Sequence, residues 1–262
     1  MQTLSLAAGV LPDHTPQTTA RAAAAAGYDA TGVWVDLDNW TAGTTRELKT
    51  ILAENALAAL DIEVVWLMPG PFDDKHRRII DIGREIGAAN VLCVSSDPDD
   101  GATAAKLAAL CEHAAGDIRI ALEFALFTEV KTIGQASSIL RAVGDPAMAM
   151  LIDPLHLARS GGTPADVAAL PPAWLPYAQF CDAEPLTFDT SDRAAIIAEA
   201  VDRRRHIGDG VLPLRELATA LPRDIPLSIE LRSKALRDRH PDPVARARAV
   251  LAATRQFLRQ ES

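Results

Sequence analysis

The 262-residue sequence has only three cysteines, Cys93, Cys111 and Cys181, and no C-x-x-C pair. That excludes a disulfide framework and fits a reduced, cytoplasmic setting. Basic residues are outnumbered, with 26 Lys plus Arg against 35 Asp plus Glu and a formal net charge of −9. No basic run offsets this balance, so the surface repels phosphate backbones and nucleic acid is not an expected partner. No stretch approaches the roughly 20 apolar residues of a membrane span. The opening MQTLSLAAGVLPDH lacks a basic n-region and turns polar at Asp13, so it does not read as a signal peptide. Aromatic residues make up only 5% of the chain. The five lysines (Lys49, Lys75, Lys106, Lys131 and Lys234) all fall outside the predicted strands, which removes a Schiff-base aldolase from consideration.

What the sequence does have is rhythm. Eight short apolar runs begin at Leu4, Ala30, Ile62, Asn90, Ile118, Met148, Tyr177 and Pro226. Each is of strand length and most are rich in Val, Ile, Leu or aromatics. Between them lie amphipathic or Ala-rich segments such as TPQTTARAAAAAGY and TIGQASSILRAVG. Several of these open at Thr or Asp and close at Gly, as helices do. Eight such units at roughly 30 residues each predict a single-domain (β/α)₈ TIM barrel over residues 1–262. A doubly wound sheet alternates in the same way, but no G-x-G-x-x-G follows the first strand. The segment from Glu184 to Arg204 departs furthest from the rhythm and is expected to form a lid or rim on the catalytic face.

Barrel chemistry sits at the C-terminal strand ends. The period of two turns Glu123 on strand five, Asp153 after strand six, Gln179 on strand seven and Glu230 on strand eight into one volume. Three carboxylates brought together without a counter-charge cost several kcal/mol each. One divalent cation resolves this, and an all-oxygen ligand set points to Mg²⁺ or Mn²⁺, with Co²⁺ tolerated. Arg232 shares Glu230's face and is a candidate for holding a substrate carboxylate or hydroxyl, with an ion pair as the alternative. Cys181 shares Gln179's face and is assigned to packing. Asp182 either orients Gln179 or His156 or starts the following loop. Trp34, Trp40, Trp66 and Glu63 could wall a substrate pocket, with core or rim packing the default for the tryptophans. His14, after strand one, could cover the pocket, with a simple turn residue the default.

The segments ALEFALFTEV, IDPLHLARSGG, YAQFCDA and SIELRS resemble those of the xylose isomerase-like TIM barrels, which include sugar isomerases, epimerases and hydroxypyruvate isomerase. The resemblance spans nearly the whole chain. It implies a metal site of Glu123, Asp153, Gln179 and Glu230, with Gln in the third place as in enzymes resembling hydroxypyruvate isomerase and in some dehydroshikimate dehydratases. It further implies substrate contact or support of the ligands by His156, and by Arg204 in RRHIGDG. There Ile207 stands where the family's R-x-x-P-G-x-G segment has Pro.

The leading expectation is an isomerase or epimerase of a small polyhydroxylated carbonyl compound, a sugar or hydroxy-keto acid. It would work by proton transfer through a metal-stabilised enediolate, with Glu123 and Glu230 as acid and base. A dehydratase of the dehydroshikimate or inosose type shares the first step. It ranks second because some such enzymes carry E-x-H, whereas Phe124 and Ala125 follow Glu123. A metal-free binding protein on the same barrel is the third. A multi-zinc DNA-repair endonuclease does not fit six scattered histidines and a charge of −9. The expected partner is a small molecule, and a homo-oligomer is compatible with this reading.

Overall fold

Eight parallel strands, β1 (Leu4–Leu6), β2 (Ala30–Trp34), β3 (Ala58–Leu67), β4 (Asn90–Ser95), β5 (Arg119–Glu123), β6 (Met148–Leu151), β7 (Ala178–Phe180) and β8 (Leu227–Ile229), form one sheet in a computed structural model describing residues 2–259. Seven strand pairings run in the order β6-β5-β4-β3-β2-β1-β8-β7. The gap between β6 and β7 is bridged in parallel by Ile152 and Ala178, with the Gln179 N–H donating to the Ile152 carbonyl at 2.9 Å. The barrel therefore closes, as its eightfold rhythm predicts.

Helices α1 (Pro16–Ala26), α2 (Ala42–Glu54), α3 (Lys75–Ile86), α4 (Asp100–Ala114) and α5 (Ile133–Val143) each follow a strand. The Thr15, Thr41 and Thr132 hydroxyls accept the N–H of Thr18, Thr44 and Gln135, which satisfies orphan donors in the first turn. The rhythm changes after β6. Two short helices, α6 (Pro154–Arg159) and α7 (Pro164–Ala168), replace the single long crossover helix before β7, and α8 (Arg193–Asp202) follows β7. Helices α9 (Leu214–Ala220), α10 (Lys234–Arg239) and α11 (Pro243–Arg259) complete the ring. Eleven α-helices are thus described, where the sequence rhythm suggests about eight.

Two apolar layers confirm the inward and outward faces read from the sequence. Ile120, Leu122, Leu227 and Ile229 belong to the large core between strands and helices. Ala30, Leu60, Leu92, Val94, Ala121, Ala149, Leu151 and Tyr177 form a second cluster inside the barrel. That inner wall is apolar on the β4–β6 side. Across from it the interior is polar: Ser5, Asp61 and Ser228 are fully buried there. No helix among the described residues is long and apolar enough to cross a membrane.

Candidate active site

Three of the four strand-end residues, Glu123, Asp153 and Gln179, meet directly, and Glu230 is joined to them through Arg204. Glu123 ends β5, Asp153 caps α6 two residues past β6, Gln179 is central in β7, and Glu230 follows β8. All four are buried. One Asp153 oxygen accepts the backbone N–H of Leu155 at 2.7 Å and of His156 at 3.1 Å, so the cap fixes its carboxylate. Oxygen or nitrogen atoms of Glu123, Asp153 and His156 all lie within 4.8 Å of one another, close enough to hold one metal ion. The Gln179 amide stands 2.8 Å from Glu123 Oε1 and 3.2 Å from Asp153 Oδ2. With its nitrogen inward it donates to both carboxylates; with its oxygen inward three oxygens converge, which suits a cation between them. The donor set therefore fits a divalent metal.

Arg204 supplies a counter-charge that the sequence pattern did not locate. Its fully buried guanidinium pairs with Asp153 Oδ2 and reaches Glu230 Oε2 at 3.0 Å. It also donates to the Cys181 sulfur at 3.1 Å and lies 3.4 Å from His156 Nε2. It thus bears directly on two of the expected ligands. Burial pushes the Cys181 thiol up, away from the thiolate form, in accord with packing.

These contacts divide the carboxylates. Burial raises Glu123 well above the usual carboxylate range, and the charges of Glu230 and Asp153 add to it. Burial also raises Glu230, although Arg204 pulls against it. For Asp153 burial acts upward, but Arg204, His156 and its hydrogen bonds outweigh it and hold the group low. Burial pushes His156 down to about 4, so its imidazole is neutral near pH 7. Phe127 packs edge-on against that ring with 5.4 Å between centroids.

A cleft of about 80 Å³ opens over these groups, walled by Trp34, Glu63, Trp66, Phe127 and Arg232. Trp34 and Trp66 are rim residues, and Trp40 lines a neighbouring surface depression. Ala200 and Val201 of α8 also line the cleft, so the segment from Glu184 to Arg204 does form part of its rim. Asp182 orients neither Gln179 nor His156. One of its oxygens accepts the N–H of Gly208 and Gly210 at 3.1 and 3.0 Å; the other accepts those of Ala183 and Leu212 at 2.8 and 3.0 Å. It belongs to the loop because its short carboxylate is spent on backbone donors.

Sequence reasoning missed Asp61. Its carboxylate lies 2.7 Å from where a side chain on Gly32 would begin, with a Glu63 oxygen 3.3 Å from the same point. Only a glycine leaves room there. Neither Asp61 oxygen nor Glu63 Oε1 has a hydrogen-bond partner of normal geometry.

Residues 20–259 match the family model described as xylose isomerase-like TIM barrel, and the chain belongs to that family. No curated protein matches the sequence. Among solved structures, it resembles a xylose isomerase-like TIM barrel/4-hydroxyphenylpyruvate dioxygenase fusion protein at 22% identity and a TM-score of 0.81. That match covers 99% of this chain and 44% of the fusion protein. The IolI protein with a binding zinc atom matches at 16% identity and a TM-score of 0.81, over 99% of both chains. A D-allulose 3-epimerase from Methylomonas sp. matches at 17% identity and a TM-score of 0.70, over 98% of both. At these identities the likeness establishes the fold.

Proposed function

We propose that the protein is a divalent-metal-dependent isomerase or epimerase of a small polyhydroxylated carbonyl compound. One observation carries this reading: Glu123, Asp153 and Gln179, from three consecutive strand ends, converge with His156 in one buried cluster at an open cleft, and Arg204 bridges Asp153 to Glu230. The zinc of IolI and the activity of the allulose epimerase, on the same fold, support it. Glu123, Asp153, Gln179 and Glu230 would hold the ion, and His156 stands near enough to replace one of them. When bound, the ion supplies Lewis acidity to a substrate carbonyl.

The chain's own residues account for the rest. Arg204 holds Asp153 ionised and orients Glu230. Glu123 and Glu230 are the carboxylates that take and return the proton at the carbon beside the carbonyl, each worth roughly 10²- to 10⁴-fold. Trp34 and Trp66 wall the mouth of the cleft with apolar surface. Dehydration is a second reading: burial raises the Glu123 carboxyl well above the usual range, and in its protonated form it can pass a proton to a departing hydroxyl. Product mass separates the two: isomerisation conserves it, whereas dehydration loses water and creates an ultraviolet-absorbing conjugated C=C.

Elemental analysis should find one divalent ion per chain, removable by chelation. His156→Ala should keep that ion and lower turnover; loss of the ion instead would make His156 a ligand. A protein that takes up no metal and binds its ligand equally well with chelator present is a binding protein on this barrel, and the proposal fails.

A further inference from the structure

Trp34 and Arg232 both line the same two cavities. One is the acidic cleft over Glu123 and Glu230. The other is a chamber of about 260 Å³ between the turn after β1, the start of α1 and the end of β8. Ala8, Leu11, Pro12 and Pro16 make its walls largely apolar, and His14 and Arg232 bring nitrogen donors to it.

Arg232 differs from Arg204. The Arg204 guanidinium is spent on Asp153 and Glu230, whereas Arg232 Nε is buried without a hydrogen-bond partner. Among the described residues no carboxylate oxygen lies within ion-pair distance of Arg232, although Glu63 and Glu230 feel its charge. His14 Nε2 is likewise buried without a hydrogen bond, 3.7 Å from Asp13 Oδ2. Asp13 is itself committed to Arg246 through bonds of 2.6 and 3.0 Å. A buried guanidinium Nε and a buried imidazole Nε2 on the lining of one apolar chamber, neither with a hydrogen-bond partner, make an arrangement that an anionic ligand completes.

We propose that this chamber is the second half of the substrate site and seats a carboxylate on Arg232 and His14, so that the substrate is a hydroxycarbonyl acid rather than a neutral sugar. The proposal rests on reading the cleft as a metal-dependent proton-transfer site. Trp34, 44% exposed, is the wall common to both cavities, and the carbon skeleton would cross beside its ring. A carboxylate suits the site better than a phosphate. One guanidinium matches one negative charge, and the nearby Glu63 and Glu230 raise the cost of a dianion.

The test is a binding panel of four- to seven-carbon hydroxy acids, each paired with the neutral polyol and the phosphate ester of the same skeleton. Titration calorimetry is run with EDTA and, separately, with Mn²⁺. At least one acid should bind more tightly than both of its partners. Arg232→Gln should weaken that acid about 10- to 150-fold, the loss of a charge-assisted hydrogen-bond pair, without weakening Mn²⁺ binding. Arg232→Lys, which keeps the stem and the charge, should lose less and guards against a folding artefact. Three outcomes overturn the proposal: no acid exceeds its neutral partner, Arg232→Gln leaves acid binding intact, or the phosphate esters bind best. Arg232-dependent acid binding without Mn²⁺ uptake would instead remove the metal reading and leave the chamber standing. Mn²⁺ uptake with equal binding of acids and polyols would do the reverse.

Discussion

Asp61 and Glu63 stand two residues apart on β3, and both press against Gly32 inside the barrel. Burial pushes Asp61 up to about 7; the Tyr177 hydroxyl opposes this and the Glu230 charge adds to it. An unfolded Asp titrates near pH 4. Between about pH 4 and 7 the unfolded chain therefore loses a proton that the folded chain keeps, and Asp61 increasingly destabilises the fold as pH rises. Above pH 7 the penalty is constant. Asp61→Asn removes it, so the variant should gain stability relative to wild type across that window, by up to about 4 kcal/mol. Denaturant melts at several pH values check this; a pH-independent difference would mean that Asp61 is ionised in the fold. Glu230→Gln separates two roles in one residue. It keeps an oxygen donor but cannot shuttle a proton, so saturating metal should restore occupancy while turnover stays down by at least about 10²-fold. Exchange of the substrate's α-proton with deuterated solvent should be lost in parallel. Full rescue by metal would leave Glu230 a ligand only.

The element that positions Arg204 is the loop after α8. Arg204 donates its backbone N–H to the Arg232 carbonyl at 3.1 Å, and Arg205 pairs antiparallel with Asp182. The Asp182 carboxylate then gathers Gly208, Gly210 and Leu212. A Cβ on Gly210 would sit 2.2 Å from the Ala183 carbonyl, so the loop closes this tightly only with glycine there. The loop holds its shape without a proline, because Asp182 supplies the restraint and Ile207 buries itself in the core. Asp182→Ala leaves these N–H groups without their acceptor, at a cost of about 2–3 kcal/mol or more. Hydrogen exchange should accelerate first at Gly208, Gly210 and Leu212. Loosened Arg204 should then raise KM and lower kcat together, while the barrel strands stay protected. Uniform loss of protection would show that the loop is part of the global fold.

At the scale of the whole molecule, a metal held by side chains from β5 to β8 would tie together four consecutive strands, three of them short. These are β6 with four residues and β7 and β8 with three each. Binding to the folded state alone stabilises it by about 2.7 kcal/mol at a hundredfold excess over Kd. For a chain of this size the melting temperature should rise by about 5 °C or more on metal addition and fall back with chelator. An unchanged melting curve would argue against a site shared by these strands.

Much of this molecule was legible in local pattern. The count of apolar runs predicts closure because eight strands suffice for side chains to fill a barrel. The pleat, whose side chains alternate, places Glu123, Gln179 and Glu230 inward without knowledge of any partner strand. Asp61 escaped that logic. Thr31 pairs with Ala59 and Gly32 with Asp61, so Leu60 is an extra residue, and both it and Asp61 turn toward the interior. A bulge resets strand parity, and its position depends on the neighbouring strand's register. The same holds for charge. Sequence alone determined that the carboxylates need a cation. That Arg204, 51 residues beyond Asp153, reaches them was decided only by the packing of α8 and the Asp182 loop. That Arg232, two residues from Glu230, is left facing an open chamber was decided there too. Local alternation fixes which way a side chain points, but which opposite charge it meets depends on contacts between segments far apart in the chain.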